Sequence, residues 1–195
     1  MGKQSLINLL PPATLAAVWA FWWLAPAAWV EAPFTIVIVG LTVIAFVQVM
    51  ELAFERHAGW RINGRELLSE TLINSPLAAL KSDLGIATPW LAASPFIVQV
   101  LVVMLLFEFG QYWMHRAMHN WHPLWLTHAP HHHITQLNAM KGFIGNPIEL
   151  FLISLGVIAL LDVDLNALFA AITGAGAIAT YAHANVRADP PIWYG

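Results

Sequence analysis

Of the chain's 195 residues, 59% are hydrophobic and only 10% charged, whereas an ordinary globular protein carries about 25% charged residues; the composition points to a membrane. The net charge of −3 is spread over few side chains, which leaves no basic face for nucleic acid. With no cysteine present, disulfides and thiolate metal sites are excluded.

Length predicts a single domain, residues 1–195. After Lys3 no charge occurs until Glu31, a stretch long enough to cross an apolar layer about 30 Å thick. Trp19, Trp22, Trp23 and Trp29 crowd its far half, as interfacial tryptophans do. A cleaved signal peptide is the rival reading, because Lys3 precedes an apolar run and Ala25-Pro26-Ala27 loosely resembles a cleavage site. Pro11 and Pro12 suit an entry turn, and Pro26 an exit or kink. Residues 34–54 form a second span, and the two make a hairpin turning at Glu31-Ala32-Pro33. Arg56, Arg61 and Arg65 follow, so residues 1–65 read as a transmembrane hairpin with a cytoplasmic loop. His57 is expected to be a solvent-facing loop residue. The segment 66–90 is half apolar and carries Lys81 and Asp83; if the histidines described next are to share a side with Arg56, either it holds a short, tilted or re-entrant crossing, the preferred reading, or the third span does not fully cross.

The third span, from Pro95 to Trp113, runs into FEFGQYWMHRAMHNWHPLWLTHAPHHH, which holds seven of the nine histidines. On a helix, His115 and His119 lie one turn apart on one face. The offsets of His128, His131 and His132 put imidazoles on one face again, and the extra adjacent histidine can reach a second ion or bridge toward it. Such sets hold metal ions, and imidazole suits iron, zinc, copper or nickel. Glu108, seven residues before His115, reads either as a partner for an imidazole nitrogen or as an interfacial acid reaching for water. Trp113, Trp121 and Trp125 are expected to anchor at the headgroup level rather than line a lipid entry.

A polar connection, 136–147, leads to a second apolar pair, 148–161 and 165–182, turning at Asp162-Val163-Asp164 on the non-cytoplasmic side. Ala170, Ala171, Gly174 and Ala175 allow close helix packing. The hairpin returns His183 to the depth of the earlier histidines. The expected architecture is therefore all-α, a polytopic membrane bundle with helices near 13–30, 34–54, 95–119, 148–161 and 165–185, since a lone short chain in lipid satisfies its backbone only as helix.

These pieces resemble the fatty acid hydroxylase superfamily of sterol desaturases, fatty acid hydroxylases and carotenoid hydroxylases. The resemblance rests on QYWMHRAMH (111–119), Leu124-Trp125 leading into HAPHHH (128–133), LNAMKGFIGNP (137–147) and AHANV (182–186), and covers residues 95–190, the histidine-box core. It implies metal ligation by His115, His119, His128, His131, His132 and His183, two iron ions at the cytoplasmic face, O₂ as oxidant, a lipid substrate, and an electron donor such as a ferredoxin or cytochrome. His133 is expected in an outer role. Many relatives have histidine before a proline where this chain has Asn146 before Pro147, and they close with a further His-x-x-His-His box beyond the His183 position. The resemblance thus implies a C-terminally truncated member whose second iron is under-coordinated. The expected function is O₂-dependent hydroxylation or desaturation of a lipid C–H bond; the alternatives are an inactive fragment and a membrane metal-binding or transport protein.

Overall fold

A computed structural model describes residues 2–60, 88–133, 135–143 and 161–188, and among them all regular structure is helical. The helices are α1 (Lys3–Asn8), α2 (Leu10–Leu24), α3 (Ala27–Val30), α4 (Thr35–Ala53), α5 (Pro89–Ala92), α6 (Phe96–Asn120), α7 (His122–His132) and α8 (Leu165–His183), with a 3₁₀ turn at Ala139–Phe143. Four stretches are long and apolar enough to cross a membrane: Lys3–Leu24, Thr35–Ala53, Phe96–Asn120 and Leu165–His183. The all-α expectation holds.

Its boundaries need correction at the N-terminus. Helix begins well before residue 13 and is interrupted twice. The ladder resets at Leu9, because Pro11 and Pro12 occupy the first turn of α2 and have no N–H to continue it. It breaks again before Pro26, where Ala25 is extended (ψ 129°), the conformation that a following proline favours. The last span stops at His183 rather than 185, since Ala184 is extended (ψ 141°). The expected helix at 148–161 and the crossing within 66–90 fall almost wholly outside the described residues.

The core sits on α8. Its face of Ala167, Ala170, Ala171, Gly174 and Ala177 brings α2 close: a methyl group on Gly174 would stand 2.8 Å from the Trp19 indole nitrogen and 3.1 Å from Leu15. Trp22, fully buried, donates to Thr173 Oγ1 over 3.0 Å and packs edge-on against Phe169. Near the C-terminal end of α8, Tyr181 bonds Thr14 at 2.9 Å, so α2 runs antiparallel to α8. By contrast α4, α6 and α8 run parallel. Gln99, early in α6, meets Asp164 at the start of α8, and Glu51, late in α4, meets Asn185 just past its end.

This arrangement gives the bundle two distinct ends. One gathers Lys3, the end of α4, the α6–α7 junction and the end of α8. There Lys3 lies over the Phe54 ring, Gln4 donates to the Arg187 carbonyl, and Glu55 and Val186 form an antiparallel bridge. The other end holds Thr88 and Asp162, joined by reciprocal bonds of 3.0 and 3.2 Å. The chain is at the first end at Trp60, whose carbonyl accepts from Asn185, and at the second by Thr88.

Candidate metal centre

Two helical turns and one helix return build the site. His115 and His119 project from the last turns of α6 on one face, as their four-residue offset requires. The chain then turns at Trp121 and restarts as α7, with Pro123 in its first turn; this corner folds His128, His131 and His132 back onto α6. The nitrogens converge. His119 Nε2 lies 3.0 Å from His115 Nε2 and 3.1 Å from His132 Nε2, and His132 Nε2 lies 2.9 Å from His128 Nε2. A ligand atom from each of His115, His119, His128 and His132 falls within 4.8 Å of the others.

Hydrogen bonding alone does not account for this packing. A neutral ring nitrogen carries either a proton or one lone pair along a single direction, yet the Nε2 atoms of His119 and His132 each face two other ring nitrogens. A cation satisfies such a set. With metal–imidazole bonds of about 2.1 Å, neighbouring ligands at right angles stand about 3.0 Å apart, the spacing of the three close nitrogen pairs. The donor set therefore fits a first-row divalent ion, iron included.

His131 faces a different partner. Its Nε2 stands 3.4 Å from Nε2 of His183, which arrives from the end of α8. The tautomer of His183 follows from its surroundings: Nδ1 donates to the Ala179 carbonyl over 2.9 Å, so in the neutral ring the Nε2 lone pair faces His131. The pair adjoins the four-histidine group through ring contacts of His131 with His128 (5.4 Å) and His132 (5.5 Å). All six expected histidines thus lie in one continuous cluster, divided four and two. His128 is its buried member, at 1% exposure. Burial first, then the neighbouring His131 and His119, depress its pKa to about 4, which keeps the imidazole neutral and able to ligate at physiological pH.

Other expected roles divide. His133 donates to the Ala129 carbonyl of its own helix at 2.7 Å, and His57 lies exposed against Trp60, apart from the cluster. Glu108 is exposed and bonds none of the histidines among the described residues. Trp113 and Trp121 are exposed, as interfacial anchors are. Trp125 departs from that expectation: its ring stacks on His132 (5.6 Å) and tilts against His119 (5.5 Å), walling the four-histidine group. Asn146 and Pro147 lie outside the described residues.

Sequence reasoning missed Glu51. It is 3% exposed at the end of α4, and it accepts from the backbone N–H of Ala139 (2.6 Å) and Asn185 (2.8 Å) and from the Gln48 amide. Read along the chain, it passes for the charge that ends an apolar span. The available signal was its separation from Gln48 by three residues, which sets two polar groups on one face of an otherwise apolar helix.

Against known proteins, residues 100–194 match the family model described as fatty acid hydroxylase. No curated protein and no solved structure matches the chain.

Proposed function

The chain belongs to the fatty acid hydroxylase superfamily through residues 100–194, and from that premise we propose that it is a membrane oxidoreductase acting with O₂ on a lipid C–H bond, by hydroxylation or desaturation. The observation that carries the reading is the convergence of His115, His119, His128 and His132 on one point, at the end of helices apolar enough to lie in lipid. In this reading the four hold one iron, and His131 with His183 contribute to a second. Iron bound there supplies the O₂ activation that an unactivated C–H bond demands.

The protein's own part is placement. His128, buried and neutral, presents its lone pair without first having to lose a proton. His183 is oriented by its bond to Ala179, and Trp125 covers the imidazoles from one side. The cluster lies at the end carrying Lys3, Arg56, Arg116 and Arg187, whereas Asp162 and Asp164 lie at the other. That asymmetry supports a cytoplasmic site, where a soluble or membrane-bound electron donor supplies two electrons, taken up with two protons, and the substrate the other two that reduce O₂: hydroxylation leaves one oxygen atom in the product and one in water, and desaturation leaves both in water. Acyl, sterol or isoprenoid chains reach it from the bilayer.

The test is turnover in lipid nanodiscs loaded with Fe(II), given a chemical or ferredoxin reductant and ¹⁸O₂, with lipids analysed by mass spectrometry. A product carrying one ¹⁸O, or one lacking two hydrogens, supports the reading. Iron-loaded protein that consumes reductant and leaves acyl, sterol and isoprenoid lipids unchanged would sink it.

A further inference from the structure

We propose that Glu51 is a positioning residue for the His131–His183 half of the site, acting through hydrogen-bond acceptance without touching either imidazole; the inference rests on the division of the cluster into four and two. Glu51 belongs to α4, which contributes no histidine to the cluster. Its Oε1 nevertheless accepts N–H groups from two separate segments. Ala139 opens the 3₁₀ turn that follows α7, the helix of His131. Asn185 lies two residues past His183, where the chain leaves α8.

One oxygen atom thus fixes how the continuation of α7 lies against the exit of α8. It is also the local solution to a polar problem. Ala139 and Asn185 are 0% and 2% exposed, so their N–H groups need acceptors inside the protein. A carboxylate has enough lone pairs to take both and still accept from Gln48. Other bonds complete the joint: Arg56 N–H donates to the Asn185 carbonyl (3.0 Å) and Arg187 N–H to the Phe54 carbonyl (2.8 Å), while the Asn185 side chain bonds the His57 N–H and carbonyl at 2.8 Å each. None of the bonds of Glu51 reaches α6, the helix of His115 and His119.

A selective effect follows. Losing the acceptor should loosen the pair and spare the group of four. Glu51→Gln keeps an Oε1 for both N–H groups, and rotation of the Gln48 amide can satisfy the new donor. Glu51→Ala removes the acceptor, and Glu51→Asp draws it back by one methylene.

The experiment titrates the full chain in nanodiscs with Co(II), followed by its visible absorption and by calorimetry. Wild type should show two classes of site. Glu51→Ala should weaken the second class by about tenfold or more, the scale of a lost supporting contact, and leave the first within about twofold; Glu51→Gln should keep both. Should Glu51→Ala fail to fold by circular dichroism and gel filtration, the Asp and Gln variants decide, with selective weakening expected for Asp alone. A second class unchanged in the Ala or Asp variant, or both classes weakened in step, overturns the proposal. His183→Ala separates this from the underlying reading: if it leaves both classes intact, the division into four and two is wrong whatever Glu51 does.

Discussion

At the Asp162 end of the bundle, the buried Gln99 amide accepts from the Asp164 N–H at 2.7 Å and donates to Asp164 Oδ2 and the Ser94 carbonyl at 2.9 Å. Thr88 and Asp162 bond each other reciprocally alongside. Each donor there meets an acceptor, and no further partner is called for. At the opposite end, Glu51 and Asn185 satisfy the backbone of their joint, with Gln48 Oε1 and Asn138 Nδ2 left buried beside it without a partner among the described residues, and the imidazoles alongside follow a different pattern. Their ring nitrogens face one another in numbers that protons cannot pair. Both ends are polar caps on an apolar bundle. The comparison teaches that satisfaction separates them: a closed polar network holds helices together, whereas a surplus of converging lone pairs marks a place for a cation.

The strongest way to break this comparison is to remove a member of the surplus. His132, whose Nε2 meets those of both His119 and His128, should be the most costly. His132→Ala is expected to lower Co(II) affinity of the tight class by more than about 100-fold, beyond the range for losing an outer partner of a ligand. Calorimetry in nanodiscs checks this, and an unchanged isotherm would mean the four histidines are not a site. A smaller and narrower effect is expected for His183→Ala, which should abolish the weaker class and leave the tight one within about threefold.

Protonation sharpens the contrast in another way. His128 has a folded pKa near 4 against about 6.5 unfolded, so between those values the unfolded chain binds more protons. Stability of the metal-free protein from this group is then complete above about pH 6.5 and lost as pH falls toward 4. Thermal unfolding of chelator-treated protein across that window should show a falling midpoint. His128→Phe should flatten the slope, and a slope unaffected by that substitution would contradict the assignment. The closed end supplies the mildest test. Gln99→Ala should reduce stability by about 1–3 kcal/mol, the usual scale for buried groups left unpaired, with Co(II) affinity unchanged. A fall in affinity would show that the two ends are coupled.

Much of this was legible in the sequence, and the pattern of what was not has a physical cause. Helical spacing alone put His115 with His119 and His128 with His132, because one helix fixes both partners. The return of His183 followed from counting apolar spans. That one of the adjacent histidines could reach a second ion was readable; that it is His131, turned toward His183, was not, since this depends on the angle at Trp121 between α6 and α7 and on where α8 stops. The breaks at Leu9 and Ala25 were signalled by Pro11, Pro12 and Pro26, but an apolar run hides whether a proline bends a helix or ends it. Glu51 was harder to read for a deeper reason: beyond Gln48, the one signal on its own helix, its partners are backbone N–H groups of Ala139 and Asn185, which carry no side-chain signature.

The meeting of the carboxyl ends of α6, α7 and α8 at the histidine cluster has an electrostatic consequence. Each helix concentrates roughly half a negative elementary charge at its carboxyl terminus, where the last carbonyls lack amide partners. His119 lies in the final turn of α6, His131 and His132 in that of α7, and His183 in that of α8. Three negative poles therefore lie at one small volume at the edge of an apolar bundle. Such a field favours a cation by about 0.3–1 kcal/mol per terminus, before any coordinate bond forms. The macrodipoles thus add a modest bias toward a cation to the pull of the imidazoles themselves.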